Sequence, residues 1–134
     1  MTEYLIKGEC VPKARPSFNR FGGTYGKAFE RQKAYEQFIA ITLKNQKAKP
    51  TDKAVLVKVD IYKGYLKSWT KKELQQAKSG KLRPTKRPDI DNYVKSVLDG
   101  ANGILWKDDS QIVSLLASKH YDEIPRVEIE VQEL

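Results

Sequence analysis

The sequence KRPDIDNYVK, at residues 86–95, is the part of this chain around which the rest is organised. Two acidic residues, Asp89 and Asp91, follow a proline there and precede a run in which apolar residues recur at helical spacing. The residues that share the apolar side of this run are Val94, Val97, Leu98 and Ala101. The spacing predicts a helix that begins at Ile90 or Asp91 and ends at Ala101, where an Asn-Gly pair stops it.

Strict alternation of apolar and polar residues predicts a strand from Ala54 to Tyr62, because successive side chains of a strand point to opposite faces. The apolar side of this strand carries Val55, Val57, Val59 and Ile61. Weaker alternation and flanking turn residues predict three more strands, at residues 4–7, 111–121 and 127–132.

Two further helices are predicted upstream of residue 86. The first covers residues 28–45, which contain neither Gly nor Pro. Its apolar stripe consists of Tyr35, Phe38, Ile39 and Thr42. Thr70 followed by Glu73 has the spacing of a capping box, so a short helix is expected to begin at Thr70 and end near Gly80. The order of elements predicts an α+β fold, with a small mixed sheet of about four strands and helices packed mainly on one face.

Length and composition limit the class of protein. A chain of 134 residues is most simply one domain, residues 1–134, and can bury a core without disulfides. Its 25 Lys and Arg against 17 Asp and Glu give a formal net charge of +8, which favours a polyanionic partner such as nucleic acid. The single cysteine, Cys10, excludes an internal disulfide and a Cys-based zinc site. No run is long and apolar enough for a membrane span, and no signal-peptide core is present, so a cytoplasmic protein without a membrane partner is expected.

Acidic residues occur at two places that suit a metal site. Asp89 and Asp91 flank the predicted helix start, and Asp108 and Asp109 lie in a turn after the helix. Carboxylate oxygens are the ligands that hard cations such as Mg²⁺ prefer. If the two pairs converge, they form the carboxylate cluster that metal-assisted cleavage of a phosphodiester requires.

A lysine belongs to the same predicted site. Asp91, Lys95 and Asp99 are four residues apart in succession and form one polar side of the helix, next to its apolar stripe. The ammonium of Lys95 can therefore lie near the Asp91 carboxylate. There it can neutralise charge on a phosphate or orient the attacking water.

Each of these features also has a purely structural explanation. Asp is a favoured N-cap residue, so Asp89 or Asp91 can simply begin the helix. Asp91 and Lys95 can form an ordinary ion pair along the helix, which contributes about a few tenths of a kcal/mol. Residues 108–110 can be no more than a turn. For each feature taken alone, the structural explanation is the commoner one. The coincidence of all these features in a basic chain nevertheless favours a metal site.

Basic residues are concentrated in two predicted loops. Residues 10–27 interleave cations with Phe and Tyr, a combination that suits phosphate pairing and base stacking but equally describes a solvated loop with aromatics on the core. Residues 81–87 form the densest basic run and lead directly into Asp89, which favours contact with a substrate. Together with Lys119, the residues predicted to contact DNA are Lys13, Arg15, Arg20, Lys81, Arg83, Lys86 and Arg87.

Two segments resemble the RusA family of Holliday-junction resolvases, which are small and often prophage-encoded. They are RPDIDNYVKSVLD, at residues 87–99, and WKDDSQI, at residues 106–112. The resemblance also includes Lys13-Ala14-Arg15-Pro16 and the strand that contains Lys119, so it spans most of the chain. An Asp-x-Asp-Asn-x-x-Lys element followed by Trp-x-Asp-Asp-x-Gln is much more specific than a lone pair of Asp residues.

The resemblance implies an Mg²⁺-dependent homodimer, with Mn²⁺ as a substitute cation and no small-molecule cofactor, that cuts four-way DNA junctions by paired nicks in recombination and repair. The residues that match the catalytic ones of the family are Asp89, Asp91, Lys95 and Asp109. The implied metal ligands are Asp89, Asp91 and Asp109, with Asp108 as the partner acid. Tyr93 stands where the family more often has an aliphatic residue, and residues 67–82 match no motif of the family.

Two other functions remain open from the sequence. A non-catalytic DNA-binding or architectural module would use the same basic loops. A nuclease for flaps or forks would use the same acidic residues on a different branched substrate.

Overall fold

The computed structural model of this protein describes residues 1–14 and 26–134. These residues form an α+β fold, as predicted. Its elements are β1 (Thr2–Lys7), α1 (Lys27–Asn45), β2 (Val55–Gly64), α2 (Lys71–Lys78), α3 (Ile90–Ala101), β3 (Ile112–Asp122) and β4 (Arg126–Glu133). The turn predicted after α3 contains one turn of 3-10 helix at Asp109–Gln111, and it leads into β3. None of the helices in the described ranges is long and apolar enough to cross a membrane.

The four strands form one mixed sheet with the order β1-β4-β2-β3. β4 pairs antiparallel with both β1 and β2, whereas β2 and β3 run parallel. Parallel neighbours cannot be joined by a tight turn, so the chain must cross over the sheet between β2 and β3. α3 lies in this crossover, and its apolar side packs against the sheet.

The core lies between one face of the sheet and two helices. Val55, Val57, Val59 and Ile61 of β2 are fully buried, which confirms the predicted alternation. The residues of α1 and α3 that complete this core are Tyr35, Ile39, Leu43, Tyr93, Val94, Val97 and Ala101. The closest approach is at Gly100 of α3, where an added Cβ would lie 2.9 Å from the Cβ of Ile39. The backbone of α3 at Gly100 is therefore in close contact with the Ile39 side chain of α1.

The buried side of α1 differs from the predicted stripe. Gln32, Tyr35, Ile39 and Leu43 are buried, whereas Phe38 is 45% exposed. Periodicity alone permits either face, and the contact with α3 selects the face that carries Ile39. Gln32 is tolerated there because its amide donates to Glu36 Oε1 at 2.7 Å and its oxygen accepts from the Ala14 amide at 3.0 Å.

α2 begins and ends as its sequence predicts. The Thr70 hydroxyl accepts a hydrogen bond from the Glu73 amide, and the Glu73 carboxylate accepts one from the Thr70 amide, each at 3.1 Å. The helix stops before Gly80, whose φ of +82° is a conformation that favours glycine. The indole of Trp69 packs edge-on against the ring of Tyr121 at 4.7 Å, so this excursion is fixed to β3.

Candidate active site

The polar side of α3 faces a cavity of about 400 Å³. Asp91, Lys95 and Asp99 line this cavity from α3, and Asp109 lines it from the following turn. Its apolar walls are Ile90, Val94, Leu98, Leu115 and Ala117. The structure thus brings three of the predicted site residues to one place, and it adds Asp99.

Asp109 is held by the most deeply buried aromatic residue of the core. Trp106 is fully buried, and its indole N–H donates to Asp109 Oδ1 at 2.6 Å. A buried indole N–H needs an acceptor, so this hydrogen bond holds the Trp106 ring and the Asp109 carboxylate in place. Burial raises the pKa of the Asp109 carboxyl, and the carboxylates of Asp99 and Asp108 add to this, against the Trp106 hydrogen bond and Lys95.

Asp108 has a role in holding the turn. Its carboxylate accepts from the Ser110 amide at 3.1 Å and from the Ser110 hydroxyl at 2.5 Å, and these bonds lower the pKa of Asp108. Gln111 accepts from the Asp108 amide at 2.8 Å and donates to the carbonyls of Thr51 and Lys53. The turn chemistry considered for residues 108–110 is therefore present, and a metal contact by Asp108 stays a prediction.

Asp89 lines a different cavity from Asp91 and Asp109. It occupies the N-cap position of α3 without a side-chain capping bond. It lines a second cavity, of about 310 Å³. The other residues around this cavity are Pro12, Lys13, Arg87, Pro88 and Asn92. The backbone of Asp89 is extended, with φ −68° and ψ 150°, whereas Asp91 lies in the first turn of the helix.

The residues that the structure describes contain no group of three or more His, Cys, Asp or Glu side chains that could hold a metal ion. The expected convergence of four carboxylates is therefore not seen among them. Like charges repel one another where no cation compensates them, which keeps such groups apart. Mg²⁺ nevertheless needs only one or two carboxylates, with water and phosphate oxygens completing its shell. Asp91 and Asp109, which share one cavity, supply a donor set of this kind.

Asp99 is the site residue that the predicted set lacked. Its carboxylate pairs with Lys13 Nζ at 2.7 Å and with Lys95 Nζ at 3.9 Å. Within the described part of the chain, Lys95 thus pairs with Asp99 and not with Asp91. The signal was present in the sequence, because Asp99 continues the spacing of Asp91 and Lys95 along α3. Its partner Lys13 is 86 residues away and carries no such signal.

The predicted DNA contacts fall into three groups. Arg15 and Arg20 lie outside the described residues. Lys13 is engaged with Asp99 and with Glu36, and Lys119 donates to the carbonyls of Lys86 at 3.3 Å and Pro88 at 3.1 Å. The remaining residues are exposed in the segment before α3, namely Lys81, Arg83, Lys86 and Arg87.

Carboxylates and a lysine around one cavity, in a basic α+β domain, define a candidate site for cleaving phosphodiesters. Comparison with known proteins agrees with this class. The family model described as endodeoxyribonuclease RusA matches residues 7–132. The chain belongs to the RusA family of endodeoxyribonucleases.

Two relatives illustrate the extent of the similarity. The uncharacterized protein YqaN of Bacillus subtilis (strain 168) is 36% identical over 136 residues, which cover 98% of this chain and 96% of YqaN. The crossover junction endodeoxyribonuclease rusA of Lactococcus phage r1t is 47% identical over 51 residues, which cover 37% of this chain and 39% of the phage protein.

Lys119→Met should slow DNA cleavage without weakening DNA binding, because Lys119 binds the carbonyls of Lys86 and Pro88 just before Asp89. Loss of a group that orients a site residue typically costs about 10–100-fold in activity. The measurements are the cleavage rate at saturating DNA and the salt dependence of DNA affinity. Lys86→Met, which removes an exposed charge that the sequence predicts to contact DNA, is the comparison; it should lower the salt slope and leave the rate at saturating DNA unchanged. If Lys119→Met instead reduced the salt slope by about one at an unchanged rate, Lys119 would be a phosphate contact.

Asp109→Asn should stabilise the metal-free protein at pH 7 to 8. A carboxyl group whose pKa is higher in the folded chain destabilises that chain once it is ionised, and Asp109 is such a group. The expected rise in melting temperature is at most about a few degrees. It should vanish below about pH 3, where the group is protonated in both the folded and the unfolded state. Thermal denaturation with a chelator measures this, and Asp99→Asn, which removes an ion pair, should lower stability instead. A variant less stable than the parent at pH 8 contradicts the prediction.

Proposed function

We propose that this protein is a metal-dependent endonuclease that resolves four-way DNA junctions by paired nicks. The observation that carries the proposal is the shared cavity of Asp91, Lys95 and Asp109 in a chain of the RusA family. The name of the phage relative, a crossover junction endodeoxyribonuclease, supports junctions as the substrate.

Each side chain at the cavity has a proposed task. Asp91 and Asp109 would hold Mg²⁺ or Mn²⁺. Asp89 and Asp108, which do not line this cavity, are proposed as further ligands. A cation bound there would supply an activated water and would neutralise charge on the phosphate. Trp106 fixes the direction of the Asp109 carboxylate through its 2.6 Å hydrogen bond. Lys95 is exposed at the rim, where its ammonium meets the scissile phosphate and stabilises the charge that develops on it.

DNA binding rests on charge and on branched shape. Exposed cations that contact phosphates give affinity without reading a base sequence, and they make binding strongly dependent on salt. Lys81, Arg83, Lys86 and Arg87 stand directly before Asp89 and are proposed to make such contacts. For Lys13 and Lys119, which are engaged within the protein, DNA contact stays a prediction, as it does for Arg15 and Arg20.

Paired nicking implies a homodimer, because two sites related by a two-fold axis can cut opposed strands of a junction that has the same symmetry. β3 is the best surface for this contact. It is a long edge strand on which Val113 and Leu116 are 64% and 59% exposed. Residues 110–118 are also the longest uncharged run of the chain, so β3 itself adds no charge repulsion between two copies of a +8 protein.

Asp91→Asn should abolish magnesium-dependent nicking and leave junction binding largely intact. The loss of a carboxylate that holds the cation removes several kcal/mol of stabilisation, or about 10²–10⁴-fold in rate. The assay is cleavage of a synthetic four-way junction with and without Mg²⁺. Asp52→Asn, an exposed acid outside the cavity, is the control and should cut normally. Cutting by Asp91→Asn at the parent rate would refute the assignment.

The same assay separates the alternatives. Junction binding with Mg²⁺ present but no product on a denaturing gel would indicate a non-catalytic module. Comparable rates on junction, flap and linear duplex would remove junction selectivity and favour a nuclease of broader specificity.

Leu116→Glu should turn the dimer into a monomer, because two like charges would face each other across the β3 contact. Such a clash costs several kcal/mol, so the dimer should weaken by about 100-fold or more. Light scattering measures the mass of the protein. Cleavage of a cruciform plasmid reports the nicking, because paired nicks give a linear product and a single nick gives a nicked circle. Ile41→Glu, at an exposed apolar position of α1, is the control and should remain dimeric. A Leu116→Glu variant that remains a dimer would rule out this surface.

A further inference from the structure

Most of the net positive charge of this protein comes from one segment. Residues 65–88, which follow β2, contain eight Lys and Arg and one acid, a net charge of +7. The other 110 residues contain 17 basic and 16 acidic residues and are almost neutral. The eight cations are Lys67, Lys71, Lys72, Lys78, Lys81, Arg83, Lys86 and Arg87. We name residues 65–88 the basic connection.

The basic connection is packed onto the protein. Trp69 lies edge-on against Tyr121 at 4.7 Å and next to Tyr65 at 5.9 Å. Ala77 of α2 is 6% exposed, and Pro84 is buried. A segment with these anchors presents its charges in fixed positions, so binding a partner loses less conformational entropy than ordering a free tail would.

The charges of the connection point outward and are uncompensated. Lys71 and Lys78 are seven residues apart, so they share one side of α2, and both are exposed. The only acid, Glu73, is occupied with the Thr70 amide in the capping box. In residues 1–14 and 26–134, none of the eight cations forms an ion pair within the protein.

The connection also ends immediately before α3, the helix that carries Asp91 and Lys95. It ends next to Asp89, and Lys119 of β3 donates to two carbonyls at this end, those of Lys86 and Pro88. Arg87 lines the cavity that contains Asp89, and Asp91 lines the neighbouring one from the first turn of α3. α2 lies further from the site along the same segment.

We propose that the basic connection, with α2 at its outer end, binds the duplex arm that carries the scissile phosphate. The ligand is the phosphate backbone of DNA, and the contact reads no base sequence. The inference deepens the proposed function and rests on it, because it assigns one arm of the junction to one segment of the chain.

The test uses the full-length Asp91→Asn protein, which should bind a four-way junction without cutting it. Lys71→Gln and Lys78→Gln are introduced together, and junction affinity is measured by titration at several salt concentrations. Each lost phosphate contact lowers the slope of log affinity against log salt by about one, so the slope should fall by about two. Lys44→Gln with Lys49→Gln removes the same charge from exposed positions outside the connection and should leave the slope unchanged.

A second measurement identifies the arm. Neutral methylphosphonates placed beside the cleavage position in one arm should weaken binding by the parent but not further weaken binding by the Lys71→Gln/Lys78→Gln protein. An unchanged slope, or a change that the control pair reproduces, overturns this inference and leaves the proposed function standing. Equal loss with methylphosphonates in both proteins overturns the choice of arm. A parent that binds no junction at all overturns the proposed function and this inference with it.

Discussion

Burial of the apolar side of α3 is the constraint on which the candidate site depends. This side packs against α1 and the sheet so closely that Gly100 leaves no room for a Cβ beside Ile39. Once that side is fixed in the core, the neighbouring polar side has only one direction available. Asp91, Lys95 and Asp99 are thereby aimed at the cavity, although none of them contributes to the core. The geometry of the site is therefore set by a packing contact on the other side of the same helix.

The turn after α3 completes the site by a second constraint. Trp106 is buried, so its N–H needs an acceptor, and Asp109 supplies one. Asp108 and Gln111 fix the rest of the turn to residues 51–53. This arrangement keeps a partly buried carboxylate near two other acids and so raises the pKa of Asp109. A site that is electrostatically unfavourable by itself is suited to binding a cation.

Charge is divided between two regions of the chain with different tasks. The acids of the cavity are partly balanced inside the protein, since Lys13 and Lys95 both pair with Asp99. The cations of the basic connection have no such partners among the described residues, and they stand next to the acidic site. A polyanion is thus attracted towards carboxylates that would otherwise repel it. The net charge of the whole chain does not show this division, because the 110 residues outside the basic connection have a summed charge close to zero.

The sequence by itself determined the elements, because periodicity, capping residues and Gly positions act over a few residues. It predicted the limits of α2 and α3, the buried face of β2 and the α+β class, and its motifs named the RusA family. Which acids share a cavity was decided only by the tertiary structure, as were the pairing of Lys13 with Asp99 and the carbonyl contacts of Lys119. The exposed position of Phe38 was decided there too. These features join residues far apart in the chain, and no local pattern records which face of a helix its neighbour will cover.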